Sequence, residues 1–459
     1  MIVSKVFFTP SCDDVELKLK RKARLEYRVS YDSARSPRAV VFMVGGWGAT
    51  KNPKLWDFER EYVTKTFGVI CVQVYHHGIH RRESIEPRYS AKRIFEKEDV
   101  ERVKKYCQGI GWDVSVDADN AFSIAHNLTE RVKILKEQGA LAPDFRLEFT
   151  LGLIPARDKY ENAGLMSALD TLNALKALDR VMGGGGGGEI LSLPKIYAGG
   201  SYGGYLALLC AKIAPWHADA VLDNSGSALP QVRFILGREM QTCDMVENFP
   251  HNQIQYFTRT LWSRREGAKH YFSDDAYLVR AILNAEHLKI QHAANPHTIF
   301  VSYHSAQDGL NPVADKKNLY EIYAHLGFDA TLNLARDEGD VDGRLIKSLD
   351  HGLRMSDKAM IRKELPLVLE KLQGRKLAPA SKNLAPENSA AKDPDAGGDL
   401  APVPKNSIPA NPAAARGLGA KNPTDGSAEI CYPCKDKIYR FRETEAGLVC
   451  EILKKEADA

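Results

Sequence analysis

The strongest chemical signal in the sequence is a serine that lies among glycines, between a strand-like and a helix-like segment. Residues 199–204 read GGSYGG; the strand-like stretch 195–198 precedes them and the apolar helical stretch 205–210 follows. Glycines beside a serine allow a strained turn in which neighbouring backbone comes close, and the turn exposes the hydroxyl at the start of the helix. The bare pattern G-x-S-x-G is common, but the strand–turn–helix context makes it more specific. The motif therefore predicts a nucleophilic Ser201; a glycine-rich turn with an incidental serine is the alternative.

Two further residues complete the predicted site, because a serine hydroxyl needs a base and the base needs an orienting acid. The predicted base is His351, in a polar turn after the last strand-like segment. The predicted acid is Asp308, which follows the strand-like residues 298–302. Loops at the carboxyl ends of parallel strands meet at one edge of a sheet, so both would lie near Ser201. Three other aspartates are less favoured as the acid: Asp223, Asp342 and Asp350.

An acyl-transfer site also needs hydrogen-bond donors for the oxyanion that develops on the substrate. The backbone N–H of Tyr202, immediately after the serine, is one predicted donor. The other is predicted from Gly46 or Trp47, in the glycine-rich stretch GGWG at residues 45–48. That stretch follows the first buried strand-like segment, and a plain turn is the alternative interpretation.

A stretch rich in histidine and arginine, HHGIHRR at residues 76–82, follows the second buried strand-like segment. We interpret it as a basic wall of the site, to which His76 and His77 also contribute. Arg81 or Arg82 would bind an acidic sugar or an acyl carboxylate, since guanidinium groups pair well with carboxylates. A solvated basic loop is the alternative.

Neither a metal site nor a cofactor site is predicted. The histidines of residues 76–82 have no carboxylate or cysteine spaced to complete a set of zinc ligands. Cys431, Cys434 and Cys450 supply three thiols without a nearby histidine, whereas a zinc site normally has four ligands.

Alternating strand-like and helical segments determine the predicted fold. Continuous apolar runs suit strands that are buried on both faces of a sheet. Such runs occur at residues 39–44, 69–74, 195–198, 220–222 and 298–301. Helical patterns between them predict an α/β fold with a mostly parallel sheet and helices on both faces.

The chain divides into three parts by composition. Residues 1–375 are predicted to form the main α/β domain, with mainly helical insertions at about 80–190 and 228–295, and the pattern of residues 228–295 suits a cap over the sheet. Residues 376–427 contain eight of the 22 prolines and almost no large apolar side chains, which predicts a disordered linker. Residues 428–459 are too few to hold a core alone, and we predict that this C-terminal segment docks on the main domain.

Strands outside the parallel sheet are predicted in two places. Period-two alternation of apolar residues predicts antiparallel strands at residues 15–19 and 25–29. In the C-terminal segment, residues 437–441 and 448–452 are predicted to pair as a hairpin.

The composition and net charge of the sequence exclude some classes of binding partner. The net charge of +4 is small for 459 residues, so neither nucleic acid nor an anionic membrane is predicted as a partner. The first residues lack a signal-peptide pattern, and there is no run of about 18 apolar residues that would span a membrane. Eight cysteines in such a chain are typical of reduced thiols, so the predicted compartment is the cytoplasm. The predicted partner is a small-molecule substrate, and the sequence does not determine an oligomeric state.

The motifs resemble those of a known superfamily. The stretch 199–205, the loop from Asp308 to Pro312 and the triplet DHG at residues 350–352 resemble the prolyl-oligopeptidase and esterase branch of the α/β-hydrolases. A closer resemblance covers residues 1–375. It is carried by LEYR at 25–28, VGGWGA at 44–49 and DNSGSALP at 223–230, and it points to an uncharacterised hydrolase-like family. That family is encoded beside flagellin-glycosylation genes in epsilonproteobacteria.

Residues and resemblance together predict a serine hydrolase that forms an acyl–enzyme on a small ester or amide. The resemblance implies the α/β-hydrolase fold and a role in deacylating a sugar or sugar nucleotide during flagellar glycan modification. One alternative is an acyltransferase that uses the same three residues. Another is a non-catalytic accessory or binding protein on a hydrolase scaffold, because fold does not fix function.

Overall fold

The structure is a computed structural model that describes residues 1–48, 51–183, 189–377 and 428–455. These residues form fifteen strands and eleven α-helices. The strands are β1 (Ile2–Thr9), β2 (Leu25–Asp32), β3 (Val40–Met43), β4 (Ile70–Tyr75), β5 (Lys92–Ile94), β6 (Leu147–Ile154), β7 (Lys195–Gly200), β8 (Ala220–Asn224), β9 (Met245–Asn248), β10 (Asn252–Thr258), β11 (Ile299–Ser305), β12 (Asp329–Ala335), β13 (Glu429–Pro433), β14 (Lys437–Thr444) and β15 (Gly447–Lys454). The helices are α1 (Pro53–Phe67), α2 (Lys97–Gly109), α3 (Ala121–Glu137), α4 (Leu165–Met182), α5 (Glu189–Ser192), α6 (Tyr202–Ile213), α7 (Val232–Leu236), α8 (Asp274–Arg280), α9 (Ala285–Ala294), α10 (Val313–Leu326) and α11 (Asp357–Leu377).

The central feature is an eight-stranded sheet in the order β1-β2-β4-β3-β7-β8-β11-β12. The six strands from β4 to β12 run parallel, and β2 is antiparallel to both of its neighbours. The predicted α/β fold with a mostly parallel sheet is therefore confirmed, and the arrangement is that of an α/β-hydrolase.

Helices cover both faces of this sheet because its middle strands are apolar on both faces. Val40 and Phe42 of β3 face one core, which α4, α6, α9 and α10 cover. Val41 and Met43 of the same strand face the other core, which α1 and α11 cover. Continuous apolar runs in the sequence thus correspond to strands buried on both sides.

One of the predicted N-terminal strands is wrong. Residues 25–29 lie in β2, but residues 15–19 form turns, and the outer strand is β1 instead. The Asp14 carboxylate accepts hydrogen bonds from the amides of Glu16 (3.1 Å) and Leu17 (3.0 Å). Such side-chain capture of backbone amides stabilises a turn over a strand.

The cap also differs from the prediction, because the insertions at 80–190 and 228–295 contain a second sheet. Its order is β5-β6-β10-β9, and α2 and α3 pack against it. In β6 the large apolar residues Leu147, Phe149, Leu151 and Leu153 recur with period two and share one face. This pattern forms a strand within a region that otherwise has helical periodicity. In addition, α4 covers the main sheet and does not belong to the cap.

The C-terminal segment forms a three-stranded antiparallel sheet, β13-β14-β15, which we call the C-terminal sheet. Residues 437–441 and 448–452 pair with each other within it. Tyr432, Tyr439 and Phe441 bury their side chains in the core that α4, α6 and α9 also line. Of the predicted linker 376–427, the first two residues belong to α11, and residues 378–427 lie outside the described residues.

A partly buried carboxylate anchors the C-terminal sheet to the main domain. Glu443 on β14 accepts hydrogen bonds from Trp216 (2.8 Å), pairs with His217 (3.0 Å) and contacts the ammonium group of Lys176. Burial alone would raise the pKa of Glu443, but the hydrogen bond from His217 and the nearby charges outweigh burial and lower the pKa to about 2.

Glu443→Gln is therefore expected to destabilise the protein at neutral pH and to weaken its acid sensitivity. The folded-state pKa of Glu443 is below the ordinary value of 4.5, so its stabilisation is complete above pH 4.5 and is lost as pH falls towards 2. A shift of this size corresponds to about 3 kcal/mol in full, of which about 1.4 kcal/mol is lost by pH 3.5. Urea unfolding between pH 7 and pH 3.5 measures it, with the exposed neighbour Glu445→Gln as the control. A difference between Glu443→Gln and wild type that does not change with pH would contradict the assignment.

The structure describes the state of the cysteine thiols and the length and polarity of the helices. All eight cysteines of the sequence lie in the described part of the chain, and all are free. Of the helices that the structure describes, none combines the length and apolar character that crossing a membrane requires.

Candidate active site

Ser201 lies in a sharp turn between β7 and α6. Its backbone has φ 54° and ψ −122°, outside the regions that residues with side chains favour. The Ser201 amide donates to the carbonyl of Asn224 (2.6 Å), and its carbonyl accepts from the amide of Tyr205 (3.0 Å). The turn therefore presents the hydroxyl at the carboxyl edge of the parallel sheet.

The glycines beside Ser201 allow backbone contacts that a side chain would prevent. A Cβ atom on Gly203 would lie 2.2 Å from the carbonyl oxygen of Val44, and one on Gly204 would lie 2.2 Å from Oδ1 of Asp223. The start of α6 thus packs directly on the loop after β3 and on the end of β8. Glycine is required here by close approach of neighbouring chain segments.

Gly203→Ala is expected to lower the free energy of unfolding by about 3 kcal/mol or more, because backbone must move to admit the methyl group. The matched control is Gly374→Ala on α11, where a Cβ atom meets nothing within 4 Å. That variant is expected to gain about 0.5–1 kcal/mol, since alanine favours a helix over glycine. Urea unfolding of both variants measures the difference; equal stabilities would show that the turn has room for a side chain.

The structure brings His351 and Asp308 to Ser201. His351 Nε2 lies 2.7 Å from Ser201 Oγ, and His351 Nδ1 lies 2.8 Å and 3.0 Å from the two carboxylate oxygens of Asp308. With its proton on Nδ1, the imidazole donates to the carboxylate and accepts from the serine hydroxyl. The three side chains thus form one continuous chain of hydrogen bonds.

Asp308 is held in place and kept ionised by its own loop. Its Oδ1 accepts hydrogen bonds from the amides of Leu310 and Asn311, each at 2.9 Å. Burial opposes ionisation, but the hydrogen bonds from His351 and from these amides outweigh it and hold the pKa of Asp308 below its ordinary value of 3.8. At neutral pH the imidazole therefore faces a carboxylate.

The three less favoured aspartates have other partners. Asp223 is buried and pairs with Lys316, with 2.5 Å between Oδ2 and Nζ. Asp342 accepts amide hydrogen bonds within its own exposed loop. Asp350 is 66% exposed and lies 3.3 Å from Arg354.

The predicted oxyanion donors lie next to the serine. Tyr202 is the first residue of α6, so its amide has no acceptor within the helix. Gly46 packs against the same turn, since a Cβ atom on it would lie 2.9 Å from the carbonyl oxygen of Gly200. The ring of Trp47 meets the ring of Tyr202 edge to face, with 5.3 Å between centroids. The loop at residues 45–48 and the serine turn therefore form one surface.

A cavity of about 200 Å³ opens over Ser201 and His351. Aromatic and aliphatic side chains dominate its wall, among them Trp47, Tyr202, Tyr205, Leu229, Phe234 and Leu310. The ionisable side chains of the wall, apart from tyrosines, are Glu161, Asp244 and His351. The cavity is therefore mainly apolar, with two carboxyl groups in its wall.

The prediction of a basic wall at residues 76–82 needs correction, beginning with its histidines. His76 and His77 do not line the cavity and are at most 1% exposed. His76 Nε2 lies 3.2 Å from the carbonyl oxygen of Gly45, and the His77 amide donates to Asp170 (2.8 Å). Both follow the buried end of β4 directly, so they lie inside the domain.

The two arginines of that stretch lie behind the cavity wall. The Arg81 guanidinium is 3.7 Å from the centre of the Trp47 ring, and its Nη2 is 2.5 Å from Oε2 of Glu161. Arg82 donates to the carbonyl oxygen of Asp244 (3.0 Å). Burial raises the pKa of Glu161, and the charge of Arg81 opposes that rise. The Arg81 charge thus faces a carboxylate and aromatic rings, Arg82 binds a backbone carbonyl, and neither arginine lines the cavity.

Sequence reasoning missed two residues that connect the loops of the site. Asn224 donates from Nδ2 to the carbonyl of Gly352 (2.9 Å), so one residue holds the turns of both Ser201 and His351. Asn311 donates to the carbonyl of Ser225 (2.6 Å) and ties the Asp308 loop to the end of β8. Asn224 ends β8 and Asn311 lies in the loop after β11, and these positions were the available signal, but their partners are distant in sequence.

A comparison with models of known protein families finds one match. Residues 5–388 match the model of a family described as "Protein of unknown function (DUF2920)". The chain matches no curated protein.

Similar solved structures include two peptidase or hydrolase chains and an esterase. The Pyrococcus horikoshii acylaminoacyl peptidase is 13% identical, with 83% of this chain and 43% of that chain covered and a TM-score of 0.41. Puromycin hydrolase is 13% identical, with 81% and 40% covered and a TM-score of 0.42. Thermogutta terrifontis esterase 2, phosphonylated by cyclosarin, is 12% identical, with 83% and 96% covered and a TM-score of 0.38. The chain spans less than half the length of the first two.

Proposed function

The chain belongs to the DUF2920 family of proteins of unknown function, and we propose that it is a serine hydrolase that acts through an acyl–enzyme. The observation that carries this proposal is the hydrogen-bond chain from Ser201 Oγ through His351 to Asp308. Nucleophile, base and orienting acid within hydrogen-bond reach are the geometry that activates a serine hydroxyl.

In the proposed mechanism, Ser201 Oγ attacks the carbonyl carbon of the substrate and His351 Nε2 takes its proton. Asp308 stabilises the imidazolium, and the electron pair of the carbonyl moves to its oxygen. The amides of Tyr202 and of Gly46 or Trp47 hold that oxyanion. When the tetrahedral intermediate collapses, the leaving alcohol or amine takes the proton from His351. Water then repeats the sequence on the acyl–enzyme and releases the acid.

Labelling with a fluorophosphonate probe tests the proposal. The expected result is a phosphonyl adduct on Ser201, formed as Oγ bonds to phosphorus and fluoride leaves, and located by mass spectrometry of the peptides. Ser227 is an internal control, because it lines the same cavity but donates to the carbonyl of Leu229. No adduct on Ser201 would favour the alternative, a binding protein on a hydrolase scaffold.

The cavity wall supports a small substrate with a neutral, apolar acyl group. Aromatic and aliphatic side chains surround the serine, and among the described residues no arginine or lysine lines the cavity to pair with an anionic acyl group. We therefore expect kcat/KM for 4-nitrophenyl butyrate to exceed that for the 4-nitrophenyl ester of succinic acid by at least about tenfold, because a carboxylate loses hydration in an apolar cavity that offers it no counter-charge. The 4-nitrophenyl ester of succinamic acid, equal in size but uncharged, is the control. Faster turnover of the anionic ester would contradict this reading of the wall.

A narrower proposal is that the acyl group is carried by a sugar or sugar nucleotide of flagellar glycan modification. Its support is the resemblance of residues 44–49 and 223–230, and the test is release of acid from acylated sugars compared with simple esters. An acyltransferase with the same three residues would instead pass the acyl group to an added alcohol, so the ratio of ester product to free acid distinguishes the two. The eight free thiols support a reducing compartment such as the cytoplasm.

A further inference from the structure

The C-terminal sheet reaches a buried ion pair of the main domain. The Tyr439 hydroxyl on β14 donates to Oε1 of Glu16 (3.0 Å). Glu16 in turn receives two hydrogen bonds from Arg280, from Nη1 at 2.8 Å and from Nη2 at 2.5 Å. Burial works against the charge of Arg280, but Glu16 outweighs burial and keeps the pKa of Arg280 above its ordinary value. Tyr439, Glu16 and Arg280 are far apart in the sequence, and they thus form one buried cluster joined by hydrogen bonds.

The same arginine holds a segment of the cavity wall. Arg280 donates from Nε to the carbonyl of Ala163 (2.8 Å) and from Nη2 to the carbonyl (3.1 Å) and the side-chain oxygen (3.0 Å) of Asn162. Ala163 lines the cavity, and so does Glu161 two residues before it.

The backbone of this segment has an unfavourable conformation at Ala163. Ala163 has φ 66° and the following Gly164 has φ 109°. A positive φ is unfavourable for alanine and persists when surrounding contacts determine it. The three hydrogen bonds from Arg280 to this segment are such contacts.

Arg280 also contacts the helix that begins after the serine. The Tyr205 hydroxyl donates to the Arg280 carbonyl (3.1 Å), and Tyr205 lines the cavity from α6. A Cβ atom on Gly164 would lie 3.0 Å from the Tyr205 ring, so these two parts of the wall are in close contact. Arg280 therefore contacts the wall twice, at Ala163 through its side chain and at Tyr205 through its carbonyl.

We propose that the C-terminal sheet is a working part of the active site. Tyr439, Glu16 and Arg280 are positioning residues: they touch no reacting atom, and they set the cavity wall at Ala163 and Tyr205. The proposal uses the proposed function in one respect only, namely that this cavity binds the substrate.

Two tyrosines of the C-terminal sheet provide a matched pair of variants. Tyr439→Phe removes the hydroxyl that reaches Glu16 and leaves the ring in the core. Tyr432→Phe removes a hydroxyl of the same sheet that donates to the Lys212 carbonyl (2.5 Å), away from Glu16. Both side chains are at most 2% exposed, so the two changes disturb docking of the sheet to a similar degree.

Hydrogen exchange of the full-length protein is the first test, because it needs no activity. The reporter is the Ala163 amide, which donates to Oε1 of Glu161 (2.8 Å). Tyr439→Phe is expected to speed exchange in peptides that cover residues 160–166 by about tenfold, through local opening of the wall. Tyr432→Phe is expected to leave these peptides unchanged. Unchanged exchange in Tyr439→Phe, or equal acceleration in both variants, would overturn the proposal.

Steady-state kinetics with 4-nitrophenyl butyrate is the second test. Tyr439→Phe is expected to raise KM between about threefold and tenfold while kcat stays within about twofold, because a displaced wall weakens binding but leaves Ser201 and His351 in place. Tyr432→Phe is expected to keep the wild-type KM, and a KM raised equally in both variants would overturn the proposal. A wild-type protein that neither turns over the ester nor labels at Ser201 would instead defeat the proposed function, and exchange at residues 160–166 would still decide the positioning role.

Discussion

Replacing Ser201 with alanine is expected to lower ester turnover by about 10⁴–10⁶-fold. The variant lacks the hydroxyl that attacks the carbonyl carbon. A water molecule could attack in its place, but the turn does not hold that water in position. The fold should persist, because the side-chain partner that Ser201 loses is the imidazole of His351, 2.7 Å away. Turnover of 4-nitrophenyl butyrate and a thermal unfolding curve measure the two effects separately.

Ser227→Ala is the matched control for this experiment. Ser227 lines the same cavity, yet its hydroxyl donates to the backbone and not to His351. Its turnover is expected to remain within about threefold of wild type, in line with loss of one neutral hydrogen bond. Similar losses in both variants, or a Ser201→Ala protein with near wild-type turnover, would refute the role of Ser201.

The second large effect is expected for Asp308→Asn, with a fall in kcat of about 10⁴-fold. The asparagine Oδ1 can still accept the amide hydrogen bonds of Leu310 and Asn311, so the loop is retained. Its NH₂ group, however, faces His351 Nδ1 and stabilises the tautomer with the proton on Nε2. That nitrogen then cannot take the proton of Ser201, and the imidazolium has no counter-charge.

The matched control is Asp350→Asn, beside His351 in sequence but 66% exposed and paired with Arg354. It is expected to leave kcat unchanged. Rates between pH 5 and pH 9 measure both variants, and wild type should show no loss from Asp308 in this range, because the pKa of that carboxyl is held below 3.8. An Asp308→Asn enzyme with more than about a tenth of wild-type kcat would contradict the assignment.

The positions of Ser201, Asp308 and His351 could be predicted because strand ends carry strong local signals. The ends of β7 and β11 are visible as apolar runs followed by polar or glycine-rich loops. A parallel sheet brings those ends to one edge, so order along the chain becomes proximity in space. Once the loops meet at that edge, the three side chains can reach one another.

The direction in which residues 76–82 face could not be predicted in the same way. Arg81 has its partner, Glu161, eighty residues later in a different loop, and local sequence does not contain that pairing. A run of basic residues therefore suggested an anion site, although Arg81 pairs with Glu161 and Arg82 donates to a backbone carbonyl. The strand β6 was missed for a related reason: it pairs with β10, which is far along the chain.

The contact between Tyr439 and Glu16 joins residues that are 423 positions apart. During synthesis at about 5–20 residues per second, Tyr439 is added about 20–85 s after Glu16. Most of the parallel sheet can form in that interval, but Glu16 and Arg280 must wait for their last partner. We therefore expect the cavity wall to be among the last features of the molecule to be completed, after the serine turn has formed.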